Sequence, residues 1–351
     1  MRSIVHEGSG TSDVLRLIER EPEVPGPGEV RVRVVVSGVN PTDWKRRVGA
    51  TASIDELAVP NQDGAGIVDA VGPGVERLAV GDRVWTMLSA HERPLGGTAQ
   101  ELTVLPEARV HPLPDAASFD VGASLGVPAV TAHRALTVAE GWPDRLAPGS
   151  LAGAVVLVAG GAGAVGHAAI QLARWAGATV IATTSTAEKA ALASAAGAHA
   201  TVDYRSEDAA ERIRELAPDG VELIVELAAG ANADLDRAVL RPAGTIAIYA
   251  NDGDRPFELP VREYMTLNAR LQFVLLYTVP SAALAAAAED VVAAIDALAV
   301  GDEAGLPLHR YPLERTAEAH DAVEAGVTGK VLVDVLPGED AVPWTDAQRH
   351  P

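Results

Sequence analysis

The stretch VVLVAGGAGAVGHAAIQLARWAGATVIATTSTAEK, residues 155–189, decides the fold. It starts with a short apolar run, passes through a cluster of glycines into an Ala-, Ile- and Leu-rich segment, and reaches a second apolar run at residues 178–184. Short runs rich in Val and Ile are typical of strands that are covered on both faces, and the segment between them has the composition of a helix. The stretch therefore predicts a strand, a helix and a second strand.

This alternation continues along the chain. Ser185 and Glu188 fit a capping box, Gly177 and Gly197 fit the C-terminal ends of helices, and the Ala-rich run 281–300 predicts a further helix. Repeated strand–helix units predict a doubly wound parallel sheet. Strands are expected at residues 154–159, 178–184, 199–204, 221–227, 245–250 and 271–278.

The chain before about residue 125 has a different pattern. Closely spaced β-rich runs, separated by Gly- and Pro-containing turns, predict a compact antiparallel barrel or sandwich. A last β-like run, 329–336, is expected to return to this domain, and the tail 337–351 is expected to hang loose. The N-terminal strands are predicted at residues 29–39, 66–72 and 82–88.

Composition excludes several classes of protein. The 351 residues include 0 Cys and have a formal net charge of -20, without the clustered Lys and Arg that a nucleic-acid partner requires. Without cysteine there is no disulfide, no thiolate metal site and no cysteine nucleophile. No apolar run reaches the length of about 18 residues that spans a membrane, so we expect no membrane association and a cytoplasmic location.

The glycine cluster predicts a dinucleotide site. Gly160, Gly163 and Gly166 lie between a strand and a helix, where missing side chains let the backbone bend tightly and approach a pyrophosphate at the helix N-terminus. Ala164 and Val165 complete this turn. The alternative is a glycine-rich packing turn, but the strand–helix–strand context favours the dinucleotide.

The end of the second strand favours a phosphorylated coenzyme. Enzymes selective for NAD commonly place an acid there, whereas this chain has Thr184 and Ser185, with Lys189 soon after. Hydroxyls and a lysine would accept the 2′-phosphate of NADPH. A solvent-exposed lysine is the alternative for Lys189.

The chain resembles a known family over almost its whole length. It is similar to the medium-chain dehydrogenase/reductase superfamily and, within it, to the zinc-independent, zeta-crystallin-like NADPH:quinone oxidoreductases. Besides the cofactor half, the similarity lies in SGVNPTDWKRRVG (37–49), VPNQDGAGIVDAVGPGV (59–75), GVPAVTAHRAL (126–136) and VTGKVLVDV (327–335).

The resemblance implies a domain arrangement. It consists of a catalytic GroES-like barrel at residues 1–124, an NADPH-binding Rossmann domain at 125–280 and a C-terminal return to the catalytic domain at 281–351, with the active-site cleft between the domains. It also implies a homodimer formed through the edge of the Rossmann sheet, near Val274.

Zinc-dependent relatives belong to the same superfamily. They have Cys in place of Asn40 and Gly-His-Glu in place of Asn61, Gln62 and Asp63. Neither Asn40 nor Gln62 replaces a thiolate or an imidazole as a zinc ligand, so no metal is expected. Asp63 is expected to have a structural hydrogen-bonding role.

The resemblance also assigns site residues. Asn40 is the candidate donor to the oxygen of the hydride acceptor, with formation of an Asx turn as the alternative. Lys45 stands where several relatives have a Tyr, so it is a candidate cation near the substrate or a solvent-facing lysine. Trp44 is a candidate wall for planar substrates or a core residue. The candidate cofactor contacts outside the glycine turn and residues 184–189 are Thr131, Tyr204, Tyr249, Asn251 and Lys330.

The predicted function is zinc-independent reduction of quinones, or other activated carbonyl or alkene compounds, by hydride from NADPH. An enone or 2-alkenal reductase is the alternative within enzymes, and a non-catalytic NADPH-binding protein is the alternative outside them. The expected partner is a small quinone or enone.

Overall fold

A computed structural model describes residues 1–50, 56–253, 255–298 and 305–336. The chain divides into two compact units. The first consists of Met1–Val127 together with the chain from Pro307 onward, and the second of Pro128–Leu306. The tail 337–351, predicted to hang loose, lies outside the described residues.

The N-terminal part of the first unit is built from antiparallel strands. Its central strand is flanked by neighbours on both sides and buries alternate valines, such as Val30, Val32 and Val34, at 0–1% exposure. This pattern is typical of a covered β-layer. The elements are β1 (Arg2–Val5), β2 (Arg16–Glu19), β3 (Glu29–Val39), α1 (Pro41–Arg47), β4 (Asp63–Val71), β5 (Arg83–Thr86), β6 (Leu102–Pro106), β7 (Val110–Pro112) and α2 (Phe119–Leu136), which continues into the second unit.

The second unit contains the predicted parallel sheet. Six strands lie in the order β10-β9-β8-β11-β12-β13, and every neighbouring pair is parallel, which confirms a doubly wound Rossmann sheet. The elements are β8 (Val155–Val158), α3 (Ala164–Trp175), β9 (Thr179–Thr184), α4 (Ala187–Ala195), β10 (Ala200–Asp203), α5 (Ala209–Leu216), β11 (Val221–Glu226), α6 (Ala229–Val239), β12 (Leu240–Ile248), α7 (Val261–Leu267), β13 (Arg270–Phe273) and α8 (Ser281–Ala293).

In this unit the predicted helix C-termini are confirmed, whereas the predicted capping box is not. Gly177 and Gly197 follow α3 and α4 with φ of +92° and +105°, as expected for glycines that end helices. The capping box predicted at Ser185 and Glu188 is wrong by one residue, because Thr186 is the N-cap of α4 and its hydroxyl accepts the backbone N–H of Lys189 at 3.2 Å.

The last strand of the sheet is shorter than predicted. β13 ends at Phe273, and residues 276–278 form a 3₁₀ turn in which the Thr278 N–H donates to the Leu275 carbonyl at 3.0 Å. β13 is the edge strand, and its one neighbour in the described sheet, β12, ends at Ile248 opposite Phe273, so no strand there holds residues 276–278 extended.

The chain returns to the first unit through β14 (Leu308–Pro312), α9 (Thr316–Glu324) and β15 (Lys330–Asp334). β15 pairs antiparallel with β3, which confirms the predicted returning strand. The segment predicted to return, 281–351, is corrected at its start, because the return begins at Pro307 and α8 belongs to the second unit. There, Asp290 on α8 bonds His133 on α2 at 2.8 Å.

None of the helices that the structure describes is long and apolar enough to cross a membrane.

Candidate functional site

The glycine turn of the second unit follows β8. Gly160 has φ of +66°, a conformation that favours glycine, and a Cβ at Gly166 would lie 2.4 Å from the Gly160 carbonyl oxygen. A Cβ at Gly163 would meet only that same oxygen, at 3.5 Å. The first and third glycines are therefore required by the turn and by helix packing, while the second leaves open space above the backbone.

The open space lies at the start of α3. Gly163 is the N-cap of this helix and provides no side-chain cap, so the N–H groups of the first turn, including Ala164 and Val165, have no side-chain partner from the N-cap. Thr183 on β9 fixes the turn, since its Oγ1 accepts the Gly160 N–H at 3.3 Å and its carbonyl accepts the Gly161 N–H at 3.1 Å. A fixed turn at a helix N-terminus that has no side-chain cap fits a pyrophosphate.

The end of β9 has polar groups suited to a ribose phosphate. Thr184 is 2% exposed, and its Oγ1 has no hydrogen-bond partner among the described residues. Tyr204 lies beside it, with its N–H donating to the Thr184 carbonyl at 3.2 Å, and its side chain is half exposed. Ser185 and Lys189 are partly buried at the start of α4. An unpartnered buried hydroxyl fits a ligand that supplies its partner.

One acid near this position was missed by the sequence analysis. Asp203, the last residue of β10, pairs in register with Thr184, and its carboxylate accepts the backbone N–H of Arg205 at 3.0 Å. In the sequence, the signal is Asp203, the acid one residue before the end of the predicted strand 199–204. A carboxylate at this position would repel a 2′-phosphate.

The ends of β11 and β12 form a second polar region. The side chain of Asn251 accepts the Gly230 N–H at 2.8 Å and donates to the Arg255 carbonyl at 2.9 Å, so it holds the loop after β12 against the start of α6. Tyr249 is half-buried, and burial, with the nearby Glu226 and Asp252, raises the pKa of its phenol. Tyr249 therefore remains a hydrogen-bond donor.

A buried carboxyl pair beside this region was also missed. Glu226 and Asp236 are 0% and 1% exposed. Burial raises the pKa of both, and for Asp236 the charge of Glu226 reinforces the rise. Glu226 accepts from the side chain of Asn232 at 3.0 Å and from the N–H of Ala228. The pair joins α6 to β11 of the sheet. In the sequence, its signal is Glu226, the acid at the end of the apolar run VELIVE (221–226).

In the first unit, three side chains that are distant in sequence lie together. Asn40 Nδ2 donates to Asp63 Oδ2 at 2.6 Å, and Lys330 Nζ donates to Asn40 Oδ1 at 2.7 Å. The strand register explains why these three side chains lie together. β3 lies between β4 and β15, and its C-terminal end adjoins the first residues of both antiparallel neighbours.

The first-unit cluster contains a second carboxyl group. Asp43 Oδ2 accepts the backbone N–H of Asn40 at 2.7 Å, at the start of α1. Burial, reinforced by the charge of Asp63, raises the pKa of Asp43 to about 7. Burial lowers the pKa of Lys330, and the carboxylates of Asp63 and Asp43 oppose that shift.

Three further predicted site residues lie on the helices α1 and α2. Trp44 and Lys45 are both partly exposed on α1, with Lys45 Nζ 5.6 Å from the centre of the Trp44 ring. Trp44 is therefore not a fully buried core residue. Thr131 is 7% exposed on α2, in the second unit. The structure brings Asn40 together with Lys330, and it brings the glycine turn against Thr183, the residue before Thr184.

The positions that bind zinc in relatives have other partners here. Asn40 bonds Lys330 and Asp63, and Gln62 Oε1 accepts the Ala90 N–H at 3.1 Å. Asp63 also accepts the Val127 N–H at 2.8 Å, the structural role expected for it. In the part of the chain that the structure describes, no group of three or more His, Cys, Asp or Glu side chains could hold a metal ion.

Comparison with known proteins agrees with this geometry. Residues 26–115 match the alcohol dehydrogenase GroES-like domain, and residues 164–295 match the family described as zinc-binding dehydrogenase. A quinone oxidoreductase of Lama guanicoe is 32% identical over 343 residues, which cover 95% of this chain and 97% of that protein.

Solved structures show the same two-part fold. Mycobacterial Rv1454c in complex with NADPH is 30% identical, with a TM-score of 0.79 over 96% of this chain and 100% of that chain. A structure described as an NAD-dependent alcohol dehydrogenase is 29% identical, with a TM-score of 0.80 and the same coverage.

A Rossmann unit inserted into a GroES-like unit defines a two-domain dehydrogenase/reductase. The chain belongs to the medium-chain dehydrogenase/reductase superfamily and, within it, to the family of the quinone oxidoreductases.

Proposed function

We propose that the protein is a zinc-independent, NADPH-dependent reductase of quinones or other activated carbonyl or alkene compounds. The observation that carries the proposal is the glycine turn with open space at Gly163, bonded to Thr183 on β9, whose next residue Thr184 has an unpartnered buried hydroxyl. The quinone oxidoreductase of Lama guanicoe and the NADPH complex of mycobacterial Rv1454c support the choice of substrate class and coenzyme.

When bound, NADPH supplies a hydride from C4 of its nicotinamide. The N–H groups at the start of α3 bind the pyrophosphate, and Lys189 neutralises the 2′-phosphate. Asn40 donates a hydrogen bond to the acceptor oxygen as negative charge develops there. Trp44 and Lys45 contact the substrate. The proposed cofactor contacts are Thr131, Gly160, Gly163, Ala164, Val165, Gly166, Thr184, Ser185, Lys189, Tyr204, Tyr249, Asn251 and Lys330.

An assay of purified protein with NADPH and a panel of quinones and enones tests the proposal. Hydroquinone products identify a quinone reductase, whereas saturated carbonyl products identify an enone or 2-alkenal reductase. NADPH binding without oxidation by any acceptor would identify a non-catalytic binding protein. Activity that is abolished by a chelator and restored by zinc would contradict the metal-independent mechanism.

Lys189→Glu is expected to weaken NADPH binding by roughly 30-fold or more and NADH binding by less than threefold. The substitution replaces a positive charge near the 2′-phosphate with a negative one, and a charge pair at the protein surface contributes a few kcal/mol at most. Dissociation constants for both coenzymes, measured by nicotinamide fluorescence, check this.

Glu188→Lys, one position earlier, is the matched control, because Glu188 is exposed in the first turn of α4. The control should change the two affinities by similar factors. Equal losses for NADPH and NADH in Lys189→Glu would rule out its proposed role.

We also propose that two copies pair through the edge of the Rossmann sheet. β13 is the edge strand, and apolar side chains around it are exposed: Phe273 by 65%, Met265 by 60% and Leu275 by 56%. Exposed apolar groups on an unpaired edge strand favour association.

The double change Phe273→Glu and Leu275→Glu is expected to give a monomer in analytical ultracentrifugation, because charges would repel across the edge. Val24→Glu is the control, since Val24 is 82% exposed and belongs to the first unit, not to the sheet that contains β13. A dimer of unchanged affinity in the double variant would exclude this edge.

A further inference from the structure

Lys330 lies in an unusual environment. Its side chain is 2% exposed, its Nζ donates to Asn40 Oδ1 at 2.7 Å, and Asp63 Oδ2 lies 3.6 Å from the same nitrogen. Lysines are almost never fully buried, and a buried ion pair adds little net stability because desolvation offsets the attraction. Burial of this ammonium group therefore requires another explanation.

We propose that Lys330 is a positioning residue that holds the side-chain amide of Asn40 in one orientation, with an N–H free to donate to the oxygen of the hydride acceptor. This inference rests on the proposed function and adds a residue that acts through Asn40. The contacts that carry it lie within the first unit.

The chemistry of the two neighbours permits only one orientation of the amide. An ammonium group only donates and a carboxylate only accepts, so Lys330 selects Oδ1 and Asp63 selects Nδ2. Rotating the amide by half a turn would place its oxygen against the Asp63 carboxylate and its NH2 against the ammonium group. One of the two Nδ2 hydrogens is bound to Asp63, which leaves the other for the substrate.

The ammonium group also strengthens the remaining donor. A positive charge on Oδ1 draws electron density from the amide nitrogen, and hydrogen bonds linked in this way polarise one another at low dielectric. An amide without this partner would be a weaker donor and could present its oxygen to the substrate, where it would repel developing negative charge.

The fold leaves room for this arrangement at Gly38. A Cβ there would lie 3.2 Å from Lys330 Cε and 2.1 Å from the Ala123 carbonyl oxygen. Gly38 directly precedes the end of β3, so the strand that presents Asn40 also admits the lysine side chain.

The experiment distinguishes two effects of losing Lys330: a change in the orientation of the Asn40 amide, and an unbalanced charge on the buried Asp63. Lys330→Met alone would leave Asp63 buried without its cation and could unfold the protein, so the informative variant is Lys330→Met with Asp63→Asn. This pair is neutral, and the new amide oxygen can still accept from Asn40. We expect a melting temperature near that of the wild type and, at saturating NADPH, a kcat for quinone roughly 10- to 100-fold lower.

The test is completed by making Asn40→Ala both in the wild type and in the double variant. If Lys330 acts through Asn40, Asn40→Ala lowers kcat in the wild type but changes it by less than about twofold in the double variant. A double variant with wild-type kcat, or losses that multiply independently, would overturn the inference.

A second measurement does not depend on turnover. In protein labelled with 15N-asparagine, the Asn40 side-chain amide should exchange with solvent much faster in the double variant than in the wild type, and equal rates would count against the inference. Wild-type protein that oxidises no NADPH with any acceptor would refute the proposed function instead, and the exchange rates would still show whether Lys330 holds the amide.

Discussion

Gly163→Asp is expected to weaken NADPH binding by roughly 100-fold or more without loss of stability. The new carboxylate would lie at the N-terminus of α3, where the pyrophosphate is proposed to bind. Two negative charges about 4 Å apart repel by up to about 4 kcal/mol at the effective dielectric of a protein surface, and each 1.4 kcal/mol is a factor of ten in affinity.

Stability should not fall, because the site accepts a side chain. A Cβ at Gly163 has only the Gly160 oxygen near it, at 3.5 Å, and the backbone has φ of -82° and ψ of 161°, which any residue adopts at an N-cap. Asp is a better N-cap than Gly by a few tenths of a kcal/mol. The substitution therefore separates coenzyme binding from folding, with effects of opposite sign.

Gly163→Asn is the matched control. It has nearly the same volume and capping ability without the charge, so it should keep the melting temperature and lose much less affinity. Isothermal titration with NADPH and thermal unfolding of both variants provide the measurement. Equal affinity losses for Asp and Asn would show that volume rather than charge matters, and unchanged NADPH binding in Gly163→Asp would remove the pyrophosphate from this turn.

The parallel sheet and its glycine turn could be predicted because the signals are local. A strand, a glycine turn and a helix lie within residues 155–175, and the turn depends on glycines whose spacing is visible in sequence. The end of β13 could not be predicted, since residues 274–278 are as apolar as a strand. They turn away where β12, the neighbour of β13 in the described sheet, has ended opposite Phe273, and the sequence does not show that register.

The candidate site of the first unit could be predicted only in part. Asn40 and Lys330 were each recognised by resemblance, but 290 residues separate them, and no local pattern shows that they share a hydrogen bond. The strand order of β15, β3 and β4 creates that contact. It also brings Asp63 near Asp43, whose pKa is raised by burial and further by the charge of Asp63. Charge coupling of this kind depends on distance in space, which sequence spacing does not encode.

Asp290 joins three segments of the second unit. Its Oδ2 accepts from His133 Nε2 at 2.8 Å and from the Leu146 N–H at 2.7 Å, while its Oδ1 accepts from Arg145 Nε at 2.8 Å. Burial alone would raise the pKa of Asp290, but the bonds from His133, Arg145 and Leu146 outweigh it and lower the pKa to about 2. Because the folded pKa lies below the unfolded value of about 3.9, this stabilisation is complete at neutral pH and is lost as pH falls from about 4 to 2.

Asp290→Ala is therefore expected to destabilise the protein by about 3–5 kcal/mol at pH 7. The change leaves the buried His133 without its carboxylate, frees the Leu146 N–H and releases Arg145, and removal of one partner from a buried charged network has a cost of this size. In a unit of this length the melting temperature should fall by roughly 10 °C, which thermal unfolding followed by circular dichroism would measure.

Asp234→Ala is the matched control for Asp290→Ala. Asp234 also pairs with an arginine, Arg237 at 2.9 Å, but its side chain is 95% exposed, so its loss should change stability by less than about 1 kcal/mol. Comparing the two variants shows whether the loss of stability depends on burial of the carboxylate or only on its pairing with an arginine. Asp290 lies on α8 and bonds α2 and the segment 145–146. Its loss should therefore speed amide exchange in α8 by more than the loss of global stability accounts for. Similar small effects from both substitutions would show that the segments are held by apolar packing alone.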